Sequence, residues 1–306
     1  QFNYAVEILG MFEDFYHNSI DSINENTLDR FIALLMKQDL MTIDTMVVLM
    51  RYYKMIKRND LFIHLTKYTG GLGVIESIIE RLELIVGKEK SRDIKSQIKI
   101  PKLGTHPTQM PIFTKALIDI LESSFDEKIV RNVLSSNHHQ IPEKTFLEER
   151  ILYENAESLD QYLMELHDRK VSILEKHLKE ETVWFEQNIT QDVVDFVKSN
   201  QEVLSAVRKD DQLYITKIPY DVESYLKANN VKDKAYHACH CPFARESIKS
   251  KSVKISDTWC YCSAGFAKFP FEVIFNKELE VTMLENVLNG DPVCRFAVSL
   301  ENVNYK

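Results

Sequence analysis

Residues 279–300 read LEVTMLENVLNGDPVCRFAVSL and carry the clearest structural signal in the chain. Two largely apolar runs, 279–288 and 293–300, flank the tetrapeptide Asn289-Gly290-Asp291-Pro292. Strand-like segments on either side of a short turn-forming sequence are typical of antiparallel strands joined by a hairpin. The sequence therefore predicts that the chain ends in an antiparallel sheet.

The signal for this sheet begins at about residue 210, where the spacing of apolar residues changes from helical to alternating. Three further strands are predicted at 212–219, 234–241 and 258–262. The stretch 264–275 (AGFAKFPFEVIF) is predicted to be an aromatic helix that Pro270 starts, kinks or breaks.

The sequence before this point has helical spacing instead. Ser158 is predicted to be the N-cap of a long helix, and the Pro- and Gly-containing segment 98–111 is predicted to be a linker. The fold class is therefore α+β, with a helical N-terminal portion followed by a C-terminal antiparallel sheet with packed helices. We divide the chain into a helical N-terminal domain (1–100), a helical region (101–205) and an α+β cysteine-rich domain (206–306).

Composition limits the classes of function. The 306 residues are 44% hydrophobic and 27% charged, which is typical of a soluble globular protein, and no apolar run is long enough to span a bilayer. The net charge of −8 argues against a nucleic-acid partner. Residues 217–268 are nevertheless locally basic, with nine Lys/Arg against five Asp/Glu. This basic stretch is either a solvated face or a field that lowers thiol pKa values or attracts an anion.

All five cysteines lie between residues 239 and 294. Because a disulfide scaffold usually spreads its cysteines through a short chain, we expect reduced thiols and a cytoplasmic protein. If both Cys-x-Cys pairs lie on strands, each pair presents two sulfurs on one face, with His237 on the face of the first pair. Such donors favour tetrahedral zinc over an iron–sulfur cluster, although zinc sites normally separate paired cysteines by two residues. The predicted metal ligands are Cys239, Cys241, Cys260, Cys262 and Cys294.

Two other interpretations of the cysteines stay open. The thiols are either inert and buried, with or without adventitious disulfides, or one of them is a nucleophile. For a nucleophile, Cys239 or Cys241 would work with His237 or His240 as the base. Arg245 and Glu246 lie just downstream. This charged pair either binds a carboxylate and relays a proton, or it is a surface pair on a short helix.

The C-terminal motifs resemble those of a known domain. Cys262-Ser-Ala-Gly265-Phe266, followed by Phe271-Glu-Val-Ile-Phe275, resembles the aromatic helix of the 4-vinyl reductase type domain, a ligand-binding α+β module related to phenol-sensing domains. Gly290-Asp-Pro-Val-Cys294-Arg295 resembles its closing hairpin. The resemblance implies a structural zinc site in which Cys294 is the last ligand and Cys260 or Cys262 approximates the first. Two further ligands of that site are not matched, because the second hairpin cysteine falls at Asn286 and the glutamate falls near Met283, with Glu280 and Glu285 only nearby.

The whole stretch 185–300 also looks like a family of uncharacterised bacterial proteins with a helical N-terminal part. The motifs that carry this second resemblance are Lys217-Ile-Pro-Tyr220, the octapeptide CHCPFARE at 239–246 and Cys260-Tyr-Cys-Ser-Ala-Gly265.

Three functions follow as expectations. The leading one is a small-molecule-binding protein whose apolar pocket lies beside the zinc site, with a homodimer left open and no membrane partner. The alternatives are a cysteine-dependent hydrolase of a small amide or thio-compound, and a helical interaction scaffold with a vestigial sensor domain. The aromatic residues predicted to line the pocket, unless they are ordinary core, are Tyr220, Phe243, Phe266, Phe269 and Phe271.

Overall fold

A computed structural model describes residues 2–17, 19–250 and 252–306. Lys251, one of the basic residues counted above, lies outside the described residues. The α+β prediction is confirmed, because helices lead into a C-terminal antiparallel sheet against which further helices pack. Within the described ranges, no helix is both long and apolar enough to cross a membrane.

The first four helices share one core. Their apolar stripes bury Phe12, Phe31, Leu49 and Leu65 completely. These helices are α1 (Phe2–Tyr16), α2 (Glu25–Lys37), α3 (Ile43–Met55) and α4 (Asn59–Thr69).

Seven more helices and a small hairpin complete the helical portion. As predicted, Ser158 caps the longest helix, since its side chain accepts a hydrogen bond from the Gln161 N–H. The elements are α5 (Val74–Val86), α6 (Lys88–Gln97), α7 (Met110–Ser124), α8 (Glu127–Leu134), α9 (Leu147–Asn155), α10 (Leu159–Glu180), β1 (Val183–Trp184), β2 (Gln187–Asn188) and α11 (Gln191–Lys198).

The C-terminal sheet has four antiparallel strands in the order β3-β4-β6-β5. The predicted hairpin is confirmed, with Met283 paired to Phe296 across it. The strands are β3 (Val207–Lys209), β4 (Gln212–Thr216), β5 (Val281–Glu285) and β6 (Arg295–Ser299). Four helices lie between β4 and β5, namely α12 (Val222–Lys227), α13 (Val231–Ala238), α14 (Arg245–Lys249) and α15 (Tyr261–Phe275).

Two strand predictions are wrong, and both concern the cysteine pairs. The segment 234–241 belongs mostly to α13, which begins after Asn230, whose side chain accepts a hydrogen bond from the Asp233 N–H. The segment 258–262 forms a 3₁₀ turn (Asp257–Cys260) that continues into α15. Local capping thus competes with the alternating pattern in segments too short to decide between them.

Helix α15 packs very closely on the turn after α8, and this contact explains Gly265. A Cβ atom at this position would lie 2.5 Å from the carbonyl oxygen of Ser136, a distance that no side chain tolerates. The helix also runs through Pro270 rather than ending there. In the main core, helices α5, α6, α7 and α8 pack against α13 and α15. The cysteines therefore lie where the middle helices meet the C-terminal part.

Candidate functional site at the cysteine cluster

The five cysteines come from three segments of backbone and are all free thiols. Cys239 is the C-cap of α13, and Cys241 begins the next helical turn, where its carbonyl accepts hydrogen bonds from the N–H groups of Ala244 and Arg245. Cys260 and Cys262 lie at the start of α15, and Cys294 precedes β6. Four of the five are buried, whereas Cys241 is partly exposed.

The turn that carries Cys241 is held on two sides. On one side, the N–H of Asp221 donates to the carbonyl of His237 over 3.0 Å. On the other, the Thr114 hydroxyl of α7 donates to the carbonyl of Phe243 over 2.8 Å, and both of these groups are buried. The Phe243 ring fills the space beside Gly71, where a Cβ would come within 2.6 Å of it. The turn is therefore fixed by packing as well as by backbone bonds.

The Cys241 sulfur has more hydrogen-bond donors around it than a buried thiol needs. The indole N–H of Trp259 donates to it over 3.4 Å. Burial raises the pKa of Cys241, but this indole and the peptide N–H groups of Phe243 and Ala244 act in the opposite direction. Peptide N–H groups at the start of a helical turn stabilise a thiolate, as does a nearby cation.

Cys241 differs from the other four cysteines in that an indole N–H donates to its sulfur. Burial raises the pKa of each of the other four, in the case of Cys262 to about 12. The negative charge of an ionised Cys241 raises all four further, which also shows that the thiols lie close together. The cluster therefore holds five thiols of raised pKa, and Cys241 is the one whose sulfur also accepts the indole hydrogen bond.

Lys217 supplies the positive charge at the cluster. Its N–H donates to the carbonyl of Cys294 over 2.9 Å, and its ammonium donates to the Ser263 hydroxyl over 3.0 Å. The same ammonium lies 5.2 Å from the centre of the Phe266 ring. Its charge opposes the effect of burial on the pKa of Cys241, Cys262 and Cys294.

His240 joins the cluster to the β1–β2 hairpin. Its Nε2 lies 2.8 Å from the carbonyl oxygen of Ile218, and its Nδ1 lies 3.3 Å from a carboxylate oxygen of Glu186. Since a carbonyl only accepts, Nε2 carries the hydrogen of the neutral ring, and Nδ1 is left free to share an added proton with the Glu186 carboxylate that it faces. Burial and then the charge of Lys217 lower the pKa of His240, whereas Glu186 raises it.

The remaining polar candidates lie on the outer side of the turn. Arg245 stacks between two tyrosines, and Glu246 accepts a hydrogen bond from the Tyr236 hydroxyl over 2.9 Å. His237 faces Asp221 at 3.7 Å and lines a surface depression with Lys249 rather than the thiols. The prediction that His237 shares a strand face with Cys239 and Cys241 is therefore wrong, because α13 is helical.

The aromatic residues predicted to line one pocket are divided among different contacts. Phe243 packs against Trp259, Phe269 against Phe146, and Phe271 in the core beneath the sheet. Tyr220 and Phe266 also border the site, the first through His240 at 5.4 Å and the second through Lys217.

The donor set does not fit a metal ion as arranged. Among the residues that the structure describes, no group of three or more His, Cys, Asp and Glu side chains is placed to hold one. Asn286, which occupies a ligand position of the resembled domain, shapes the hairpin by accepting from the Asn289 N–H over 2.9 Å and donating its own N–H to Asp291. Zinc therefore stays a prediction from the sequence.

Four residues of this site were not predicted as site residues from the sequence, namely Glu186, Lys217, Trp259 and Ser263. Lys217 had a signal, since it lies within a predicted strand and in one of the motifs quoted above. Glu186 had none, because its hairpin lies 54 residues before its partner His240.

Comparison with known proteins gives one match. Residues 221–305 match a family model described as a family of unknown function (DUF6144). No curated protein matches the chain, and no solved structure matches it. The matched residues include every cysteine and the Arg245 turn, but they exclude Lys217, Tyr220 and Glu186.

Proposed function

We propose that this chain is a cysteine-dependent hydrolase of a small amide or thio-compound, with Cys241 as the nucleophile. The observation that carries the proposal is the environment of the Cys241 sulfur. Among the five cysteines it is the residue with partial exposure, and one indole N–H, two peptide N–H groups and an ammonium oppose the effect of burial, which raises the pKa of its thiol.

The surrounding groups divide into three roles. Lys217 offsets part of the charge that develops on sulfur. The His240–Glu186 pair holds the proton that the reaction moves, because the free nitrogen of His240 faces the carboxylate. Trp259 and the turn after Cys241 orient the sulfur and limit the access of water.

The reaction then balances in two steps. Cys241 loses its proton to the His240–Glu186 pair, and its sulfur bonds to the carbonyl carbon of the substrate while the bond from that carbon to nitrogen or sulfur breaks. The departing group takes the proton from the pair. Water next attacks the thioester carbon, the carbon–sulfur bond to Cys241 breaks, and one proton of the water returns to the cysteine. The net reaction consumes one water and yields a carboxylic acid and an amine or thiol.

A zinc-dependent small-molecule-binding protein is the second candidate. The closeness of the thiols, whose charges raise one another's pKa beyond the effect of burial, supports it. Their placement does not, since no ligand group for a metal is found among the described residues. In this candidate the cysteines are ligands and none of them reacts with substrate.

Trapping the covalent intermediate tests the first candidate. The purified protein is incubated with a panel of small amides and thioesters, quenched with acid and analysed as intact protein and as peptides. We expect at least one panel member to leave an acyl group on the peptide that contains Cys241 and to turn over. Cys241→Ser should abolish both signals, whereas Cys262→Ser, a buried thiol of the same cluster, should retain them.

Metal analysis on the same samples separates the candidates. Stoichiometric zinc that is lost in both Cys241→Ser and Cys294→Ser, together with no acylated cysteine, would contradict the hydrolase and support the binding protein. A metal-free protein with acylated Cys241 would support the hydrolase.

A further inference from the structure

Arg245 lies one helical turn after Cys241, and its guanidinium group forms no salt bridge with any residue that the structure describes. It is held between two aromatic rings, 4.0 Å from the centre of the Tyr220 ring and 4.5 Å from that of Tyr236. Among the described residues its side chain makes one hydrogen bond, from Nε to the carbonyl of Tyr236 over 3.2 Å, and no salt bridge. Its neighbouring carboxylate, Glu246, bonds to the Tyr236 hydroxyl instead.

The Tyr220 hydroxyl is the second unsatisfied group at the same place. Tyr220 is only 6% exposed, and its hydroxyl makes no hydrogen bond to any described residue. A buried donor without an acceptor costs about 1–3 kcal/mol, and a ligand that supplies the acceptor recovers this free energy. Burial raises the pKa of Tyr220, and the two polar groups nearest its hydroxyl, Arg245 and the Thr66 hydroxyl, act in the opposite direction.

These two groups are contiguous with the proposed nucleophile. The Arg245 N–H donates to the carbonyl of Cys241 over 2.9 Å, which makes the two residues neighbours on one helical turn. The Tyr220 ring meets the His240 ring edge-on at 5.4 Å. The charge of Arg245 also reaches Cys239, where it opposes the effect of burial on the thiol pKa.

We infer that the substrate carries a carboxylate group, which Arg245 and the Tyr220 hydroxyl bind while Cys241 attacks a carbon of the same molecule. A guanidinium group presents two parallel N–H donors that match the two oxygens of a carboxylate, and stacking on tyrosine rings orients this fork before binding. One cation and one hydroxyl suit the single charge of a carboxylate, whereas a phosphate group carries more charge than they offset. This substrate class rests on the proposed hydrolase function, because it assumes that Cys241 reacts.

Two alkylating reagents of nearly equal size test the inference. Iodoacetate carries a carboxylate, and iodoacetamide carries a neutral amide. The rate at which each modifies Cys241 is measured by peptide mass spectrometry and divided by its rate with free glutathione. We expect this normalised rate to favour iodoacetate by about tenfold in the wild-type chain, corresponding to one charge-assisted contact.

The variants assign this preference to one side chain. Arg245→Met should abolish it, Arg245→Lys should retain a small part of it, and Tyr220→Phe should reduce it. Arg131→Met is the matched control, since Arg131 also stacks on a tyrosine, Tyr261 at 5.0 Å, but is paired with Glu127. A preference that survives Arg245→Met, or no preference in the wild-type chain, would overturn the inference.

A second measurement tests the carboxylate site of Arg245 and Tyr220 without any reaction at Cys241. If neither reagent modifies Cys241, that result counts against the hydrolase and not against this site. Thermal unfolding of Cys241→Ser is followed with 3-mercaptopropionate, with 3-mercaptopropionamide and with inorganic phosphate. We expect the carboxylate alone to raise Tm and Arg245→Met to remove that rise. An equal rise with the amide or with phosphate, or a rise that persists without Arg245, would contradict the assignment.

Discussion

The polar side chains around His64 in the first helical core and those around Tyr220 beside the cysteines differ in how completely they are hydrogen-bonded. His64 lies 2.5 Å from Asp29 through one ring nitrogen and 2.8 Å from Glu25 through the other, and the Tyr68 hydroxyl donates to Asp29. At the second place the Tyr220 hydroxyl and the Arg245 guanidinium group lack such partners within the described residues.

This difference indicates which polar groups remain available to bind a ligand. A polar group whose bonds are all made inside the protein stabilises the fold and has nothing left for a ligand. Burial would lower the pKa of His64, but its bonds to Asp29 and Glu25 outweigh burial and raise the pKa. The Tyr220 hydroxyl and the Arg245 guanidinium group near Cys241 do not gain such stabilisation from the chain itself. We attribute their unused hydrogen-bonding capacity to ligand binding.

Substitution of Lys268 has the largest expected effect on stability. Its buried ammonium group lies in the cysteine-bearing part of the chain, but its hydrogen bonds are made within the protein. This ammonium, 4% exposed, donates to Glu272 over 2.6 Å and to the carbonyl of Leu279 over 2.7 Å. We expect Lys268→Met to lower the free energy of unfolding by about 3–5 kcal/mol, since it leaves Glu272 uncompensated.

Urea denaturation checks this value, and the double variant Lys268→Met/Glu272→Leu is its control. The double variant should recover much of the loss, because neither charge is then left buried alone. A loss below about 1 kcal/mol in the single variant would mean that the buried pair is not a structural contact.

His138 extends the comparison to pH dependence. Its ring bonds to the Ser77 hydroxyl and to the carbonyl of Val133, and burial lowers its pKa from 6.5 to about 4. The unfolded chain therefore binds this proton more readily than the folded chain. The stability that neutral His138 contributes is complete above pH 6.5 and is lost as the pH falls to about 4, a loss of about 3 kcal/mol.

Unfolding free energies measured between pH 7 and pH 4 test this window. His138→Gln cannot titrate, so its stability should fall less steeply than that of the wild-type chain over this range. Parallel curves for the two proteins would show that His138 does not carry the acid sensitivity.

Two tyrosines provide the most closely matched test of the comparison. Tyr68 and Tyr220 are both buried, at 4% and 6% exposure, and they differ in whether the hydroxyl has a partner. Tyr68→Phe removes a hydrogen bond to a charged group and should cost about 2 kcal/mol. Tyr220→Phe should change stability by less than about 0.5 kcal/mol or increase it slightly.

Chemical denaturation of both variants in one buffer is sufficient for this test. Equal losses for the two substitutions would contradict the claim that the Tyr220 hydroxyl is held open for a ligand. A selective loss for Tyr68→Phe would sharpen it.

The sequence predicted the fold class and its last hairpin because both depend on local signals. The turn at 289–292 and the Ser158 cap are examples, since each is determined by residues within one turn of chain. The two Cys-x-Cys segments are helical rather than extended, because five to eight residues of mixed polarity fit the spacing of a helix as well as that of a strand. In the first segment the Asn230 cap favours the helix.

Of the site itself, the sequence indicated Cys241, His240 and Arg245 as candidates but not their ranking. That ranking depends on groups distant along the chain, above all Lys217, Trp259 and Glu186, which only the folded structure brings to the turn. The same distance explains why one common apolar pocket was predicted for aromatic residues that pack in separate places.

The order in which the five thiols react tests the central claim most directly. The native protein is treated with a limiting amount of iodoacetamide at pH 8, and the modified cysteines are counted with time by peptide mass spectrometry. We expect Cys241 to be alkylated first and at least about tenfold faster than the others, with a rate that increases with pH and decreases several-fold in Lys217→Met. Faster modification of any other cysteine, or a Cys241 rate that Lys217→Met leaves unchanged, would contradict the account.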